Sequence, residues 1–467
     1  MQPLAHPHPL GWKAESLETL RLAGPLALAN LLQMLTYAID VIFIARLGTQ
    51  QLAASSLAIS LFGMLVWALF GLSGAVGPII AAELGARGPA LRAVRRSVRM
   101  ALWIAAGSGA LAMLVCAQTP WIMRITGQDP AIAALADSYM SILLWCAIPM
   151  VMASVLRNFV SALGRPIFAT VITALAIGVN AAGNYMLIFG NWGAPELGLQ
   201  GAAYATIISS LFVLTAYIAA IRLDKRLHRY RVFGRFWRPD GARLGQLLRV
   251  GLPISLTILA EAGVFGAAAF LMGRIGAAEL AAHTLALNIA SMAFQVPYGV
   301  AQATSIRVGY YFGAGEKVGI GRAGWCGLMM GVGFTALTGL AMLVVPEWLL
   351  AIYIDPFAAG NVGLASLASS FLLVAAAFQL FDGAQVVAAG ALRGLQDTRV
   401  PMWIAVFAYW VPGFGLAATL GLGLVFGVDK GGLGVWLGLA AGLVIAASLL
   451  LWRWQAREAL GLTAFQG

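Results

Sequence analysis

The chain has 467 residues, 61% of them hydrophobic and only 10% charged, with a formal net charge of +11. Water-soluble domains carry about 25% charged residues, so this composition excludes one. Apolar runs longer than the roughly 20 residues a helix needs to cross the hydrocarbon recur along the chain. In lipid the backbone must satisfy its own hydrogen bonds, in helices or a closed barrel. Uninterrupted runs without alternation predict an all-α polytopic membrane protein.

In chain order, residues 1–21 lack a basic stretch followed by an apolar one and a cleavage site, and read as a cytoplasmic lead-in rather than a signal peptide. Six spans follow, at 22–47, 52–84, 98–118, 133–160, 166–190 and 199–223, giving an N-lobe over 22–223. Residues 224–248 read as a basic cytoplasmic linker. Six more spans, at 249–274, 279–312, 322–344, 362–392, 400–425 and 431–455, give a C-lobe over 249–455, and 456–467 a cytoplasmic tail. With twelve spans, the basic clusters RAVRRSVR (92–99), 222–243, 306–317 and Arg453 with Arg457 all fall on one side. Only Arg46, Arg124, Arg274 and Lys430 fall on the other. This positive-inside pattern places both termini in the cytoplasm. It also accounts for the basic charge without nucleic acid, and the aromatics among the arginines of 222–243 read as a lipid-facing loop. Cys116, Cys146 and Cys326 lie in apolar spans at no metal-ligand spacing and read as small core residues.

The chain repeats itself. The shift that lays Pro25 on Pro253 also lays Arg46 on Arg274, Gly48 on Gly276 and LGA (84–86) on FGA (312–314), without a gap. An even number of spans per half makes both halves enter the membrane the same way. That predicts two pseudo-symmetric six-helix lobes related by an axis along the membrane normal, with a substrate path in the cleft between them.

Three carboxylates fall deep within spans: Asp40 in the first, Glu261 in the seventh and Asp382 in the tenth. A charge at the bilayer centre costs about 2.5–3.5 kcal/mol on insertion scales, so such a residue faces the bundle, pairs, or takes up a proton or metal ion. No lysine or arginine is expected at similar depth in the same spans. Gln33 aligns with Glu261 across the repeat and precedes Asp40 by two helical turns, about 10 Å. Asn180 and Asn184 share a helix face and either hold Asp40 or glue helices together. Gln379, Asp382 and Gln385 form a polar stripe, and Glu261 with Asp382 can share a site, including one for Na⁺. His283 and Asn288 open the eighth span, where a lone His reads more readily as a cap than as a ligand. Tyr37, Phe265 and Phe378 are candidates to line a substrate cleft. Pro25, Pro149, Pro253, Pro297 and Pro412 are expected to kink their helices. There is no Walker loop and no catalytic or metal-binding spacing, so neither an enzyme nor a bound cofactor is expected.

IDVIFIARLG (39–48), PISLTILAE (253–261), the run 281–315 and FQLFDGAQVVAAGALRGLQDTRVPMW (378–403) resemble the multidrug and toxic compound extrusion (MATE) family. Acids in spans 1, 7 and 10 resemble its NorM-like branch. The resemblance implies a monomeric antiporter that exports small cationic and lipophilic drugs or dyes in exchange for H⁺ or Na⁺. It also implies an ion site at Asp40, Asn180 and Asn184 and a second at Glu261 and Asp382. NorM-like proteins often carry Tyr where this chain has Phe378, which tilts the expected coupling toward H⁺. A flippase for a lipid-linked precursor would line its path with basic residues, an intramembrane lipid-modifying enzyme would cluster acids or His at a membrane face, and a passive channel would not need two unlike lobes.

Overall fold

The computed structural model describes residues 9–234, 236–423 and 430–465. Residues 1–8 of the lead-in, Arg235 of the linker, 424–425 of the eleventh expected span and 466–467 of the tail lie outside the described residues. The helices of the first half are α1 (Trp12–Ala45), α2 (Thr49–Gly74), α3 (Val76–Arg87), α4 (Leu91–Cys116), α5 (Thr119–Ile125), α6 (Pro130–Leu143), α7 (Ala147–Ala162), α8 (Ile167–Phe189), α9 (Leu199–Leu223) and α10 (Lys225–His228). Those of the second are α11 (Gly241–Ile275), α12 (Ala277–Ala314), α13 (Lys317–Val344), α14 (Pro346–Leu350), α15 (Val362–Gly394), α16 (Arg399–Ala408), α17 (Gly415–Gly421) and α18 (Gly431–Gln455), with a π-helical turn at Tyr409–Phe414 between α16 and α17. Among the described residues there is no strand, and eleven segments are long and apolar enough to cross a membrane. The other expected span matches α12, which is 38 residues long but carries Glu279, His283, Asn288, Gln295, Gln302 and Arg307.

The chain divides into two compact units, residues 28–255 and residues 9–27 with 256–465. The two division points, after Ala27 and after Ser255, are equivalent under the same shift that lays Pro25 on Pro253. Both α1 and α11 are continuous helices across their division point, each with one of these prolines just before it. The leading turns of α1 therefore pack with the C-terminal unit, and those of α11 with the N-terminal unit.

Ion pairs fasten these leading turns. In the C-terminal unit Arg307 of α12 donates from Nε (2.8 Å) and Nη2 (2.5 Å) to the Glu15 carboxylate, and the Tyr311 hydroxyl donates to the same group at 2.8 Å. Glu15 is 0% and Arg307 2% exposed, so the pair is fully withdrawn from solvent. In the N-terminal unit Arg243 of α11 meets Glu83 of α3 at 2.5 Å. Position 15 falls on position 243, and position 83 on position 311, under the shift of the repeat, so equivalent sites carry both clamps with different charges.

Small residues let the helices approach, as in membrane bundles generally. A side chain at Gly390 of α15 would meet the Ala301 carbonyl oxygen of α12 at 2.6 Å, and one at Gly438 of α18 would collide with the Ala417 backbone nitrogen. The apolar core of the C-terminal unit gathers on Phe371, Phe378 and Trp436, and that of the N-terminal unit on Ile44, Phe62, Tyr139 and Met140. Cys116, Cys146 and Cys326 are buried and free. The basic segment after α9 is docked rather than loose: Arg95 donates to the Tyr230 carbonyl (3.0 Å), Trp103 to that of Phe236 (3.1 Å), and Arg165 pairs with Asp224 (3.1 Å). Arg96 hydrogen-bonds Asp240 and holds its carboxyl below the usual range.

Removing one member of a buried ion pair strands the other charge. Arg307→Ala is expected to lower stability by about 3–5 kcal/mol, read as a fall in the unfolding midpoint in detergent. The double change Glu15→Gln, Arg307→Met should recover a large part of that loss.

Candidate functional site

Two separate clusters hold the deep acids, one in each unit. In the N-terminal unit, α1 presents Gln33, Tyr37 and Asp40 at spacings of one and two turns, and α8 presents Asn180 and Asn184 one turn apart. The Asn184 amide donates to Asp40 Oδ1 at 2.6 Å and to Asn180 Oδ1 at 3.2 Å. Asp40 is 8%, Asn180 1% and Asn184 0% exposed, so the whole cluster is sheltered. Asn180 also faces the Asp40 carboxylate, and Tyr139 of α6 and Cys146 sense its charge. Gln33 hydrogen-bonds the Tyr37 hydroxyl group, while the Tyr37 ring is partly exposed. Phe43 and Phe189 pair their rings at 6.1 Å and hold α1 against α8 at this level. The amide stripe on α8 thus meets the acid directly.

In the C-terminal unit, Glu261 of α11 and Asp382 of α15 lie within each other's electrostatic reach. Asp382 is buried and Glu261 half-buried. Gln379 and Gln385 flank Asp382 on α15, and both are buried. Gln379 donates to the Ala290 carbonyl of α12 at 3.1 Å, but the side-chain oxygens of Gln379 and Gln385 have no partner among the described residues. Asn288 donates to Thr284 O of its own helix at 2.9 Å, which is an intrahelical contact. Phe378 is 2% exposed and packs edge-to-face on Phe265 (6.3 Å) and Trp436 (5.9 Å), so its ring belongs to the core and offers no oxygen to Asp382. His283 is not a cap: α12 is preceded by Gly276, and the buried His283 ring lies against Trp436 at 5.5 Å with neither nitrogen bonded among the described residues.

Among the described residues, none of Asp40, Glu261 and Asp382 has a Lys or Arg within ion-pair distance. One cation nonetheless comes within electrostatic reach of Glu261, the guanidinium of Arg393 on α15. The sequence held the signal: Arg393 follows Asp382 by eleven residues, three helical turns, and so shares its face. Tyr298 of α12 and Tyr409 of the π-helical turn join the same electrostatic network. Nothing in the sequence alone linked these hydroxyls to the acids. No group of three or more His, Cys, Asp or Glu able to hold a metal occurs among the described residues, so a cation at Glu261 and Asp382 must also draw on neutral oxygens.

The MatE family profile matches residues 25–186 and again 253–419, two stretches that begin on the equivalent prolines of the repeat. The chain is 44% identical over 447 residues to the probable multidrug resistance protein NorM of Mesorhizobium japonicum, covering 96% of this chain and 95% of that relative. It is 43% identical over 444 residues to the protein of the same name from Brucella suis, covering 95% and 93%. In fold it is similar to a MOP superfamily transporter from Pyrococcus furiosus, with a TM-score of 0.84 at 22% identity and coverage of 99% of this chain and 98% of that one.

Because Asn184 supplies the short bond to Asp40, Asn184→Ala is expected to cost about 1–3 kcal/mol, measured as a lowered unfolding midpoint. An Asp40→Asn, Asn184→Ala double variant should show a penalty smaller than the sum of the single ones.

Proposed function

This chain belongs to the MatE family, and on that premise we propose that it is a secondary active multidrug exporter. It moves cationic and lipophilic compounds out of the cell by alternating access, in exchange for H⁺ or Na⁺ flowing inward. The observation that carries this reading is the buried Asp40 carboxylate, which is bound at 2.6 Å by a neutral amide instead of a fixed cation. Such a group keeps its charge available to a mobile ion. The relatives named NorM, described as multidrug resistance proteins, support the direction and breadth of transport. The acidic character of both clusters favours cationic substrates. A single guanidinium beside two acids does not suit an anionic lipid-linked precursor, and no reacting constellation supports an enzyme.

The mechanism is competition. Asp40, and Glu261 with Asp382, take up the coupling ion from outside, and their occupation weakens the hold on the drug. Neutralised acids no longer oppose passage through the apolar layer, so the protein returns, releases the ion inside and reloads. For an uncharged substrate, each elementary charge entering down ~100 mV supplies about 2.3 kcal/mol, enough for roughly a fifty-fold gradient. One-for-one exchange with a monovalent cation is instead electroneutral and is driven by the ion's concentration gradient alone. The protein sits in the bacterial inner membrane with both termini cytoplasmic, acts as a monomer and needs no cofactor.

The test is export of ethidium from vesicles holding the purified protein, under a pH gradient and a sodium gradient imposed separately. At least one gradient should drive export. Asp40→Asn, Glu261→Gln and Asp382→Asn should each slow it by about tenfold or more, within the range of ordinary coupling energies. Export driven by neither ion rejects antiport, and full activity in all three variants removes the acids from the mechanism.

A further inference from the structure

The hydroxyl of Tyr409 is buried, with the residue 3% exposed, and bonds to nothing among the described residues. A buried hydroxyl left unpaired is disfavoured, because it has lost its water and gained no partner. Its position is held by its neighbour. The Trp410 indole donates to the Ala260 carbonyl at 3.2 Å, one residue before Glu261, and the ring lies over Gly263, where a side chain would come within 3.0 Å of it. Tyr409 and Trp410 also begin the π-helical turn at Tyr409–Phe414. Such turns re-aim side chains and recur at functional sites. Trp410 is thereby seated on the stretch of α11 that carries Glu261, and its neighbour Tyr409 lies within electrostatic reach of both Glu261 and Asp382.

We propose that the Tyr409 hydroxyl is the neutral oxygen that, with the carboxylates of Glu261 and Asp382, completes a binding site for Na⁺. Hard cations take oxygen ligands, and a phenol offers two lone pairs without adding charge. Two carboxylates alone give too few ligands, and Phe378 can give none because it is a core ring with no oxygen. The hydroxyl enters from the π-helical turn instead, a different element from the one that carries Asp382. Arg393, which interacts with both Glu261 and Tyr409, offers the cluster a positive charge when Na⁺ is absent.

This inference rests on the antiport reading, and one experiment separates the two. Ethidium export is followed in vesicles under an inward sodium gradient and, independently, under a pH gradient. Wild type should be driven by sodium. Tyr409→Phe should raise the sodium concentration for half-maximal export by about tenfold, the scale of one hydrogen bond to a charged group, while the rate at saturating sodium stays near that of wild type. A damaged fold lowers the saturating rate instead. Gly263→Ala, which displaces Trp410 without touching the hydroxyl, should move the half-maximal sodium concentration in the same direction and serves if Tyr409→Phe does not fold. Export driven by protons but not sodium in wild type overturns the sodium site and leaves antiport standing, as does an unchanged sodium requirement in the folded variants. Export driven by neither ion overturns both.

Discussion

A charge among transmembrane helices has no water to fall back on, so each must be answered by the protein or by a mobile ion. The first answer is built into the helices, and on the proposed antiport reading the second acts at the deep acids. At the leading turns of α1 and α11 the charges are answered permanently, by Glu15 with Arg307 and Tyr311 and by Glu83 with Arg243. Deeper along α1, Asp40 is bound by the neutral amide of Asn184 and has no Lys or Arg at ion-pair distance among the described residues. Fixed pairs hold helices where they enter, and acids without fixed partners remain where an ion can act.

The duplication sets the frame for that division. Division points, prolines, clamps and family matches all recur at the one interval that separates Pro25 from Pro253. The acids do not. Asp40 stands opposite Ala268, a fully buried alanine, and Glu261 opposite the half-buried Gln33. A shared scaffold has therefore kept its packing while its two halves acquired unlike polar clusters: one acid with amides in the first, two acids with a guanidinium and hydroxyls in the second.

Most of the scaffold was legible in the sequence, because spans as apolar as α18 or α15 can satisfy their backbones in lipid only as helices. The contact of Asn184 with Asp40 was legible as one of two alternatives, since spacing puts Asn180 and Asn184 on one face but does not say which helix that face meets. Arg393 was overlooked although its spacing from Asp382 placed it on the same face. The exchange of the leading turns of α1 and α11 between units was hidden, because hydropathy records that a helix is buried and not which neighbour buries it. The pairing of Glu83 with Arg243 was hidden as well, since the sequence does not say which helix end lies beside which. Tyr409 was invisible for a related reason: an interior tyrosine reads as core unless the orphaned hydroxyl is seen.

The central claim is that drug and coupling ion contend for the same sheltered acids. Binding alone tests it most directly, without transport. Ethidium is added to the solubilised protein in weak buffer while released protons are followed with a pH indicator and bound sodium with a sodium-selective electrode. The account predicts that ethidium displaces one of these ions from wild type and neither from the Asp40→Asn, Glu261→Gln, Asp382→Asn triple variant. Tight ethidium binding that displaces neither ion from wild type would contradict it.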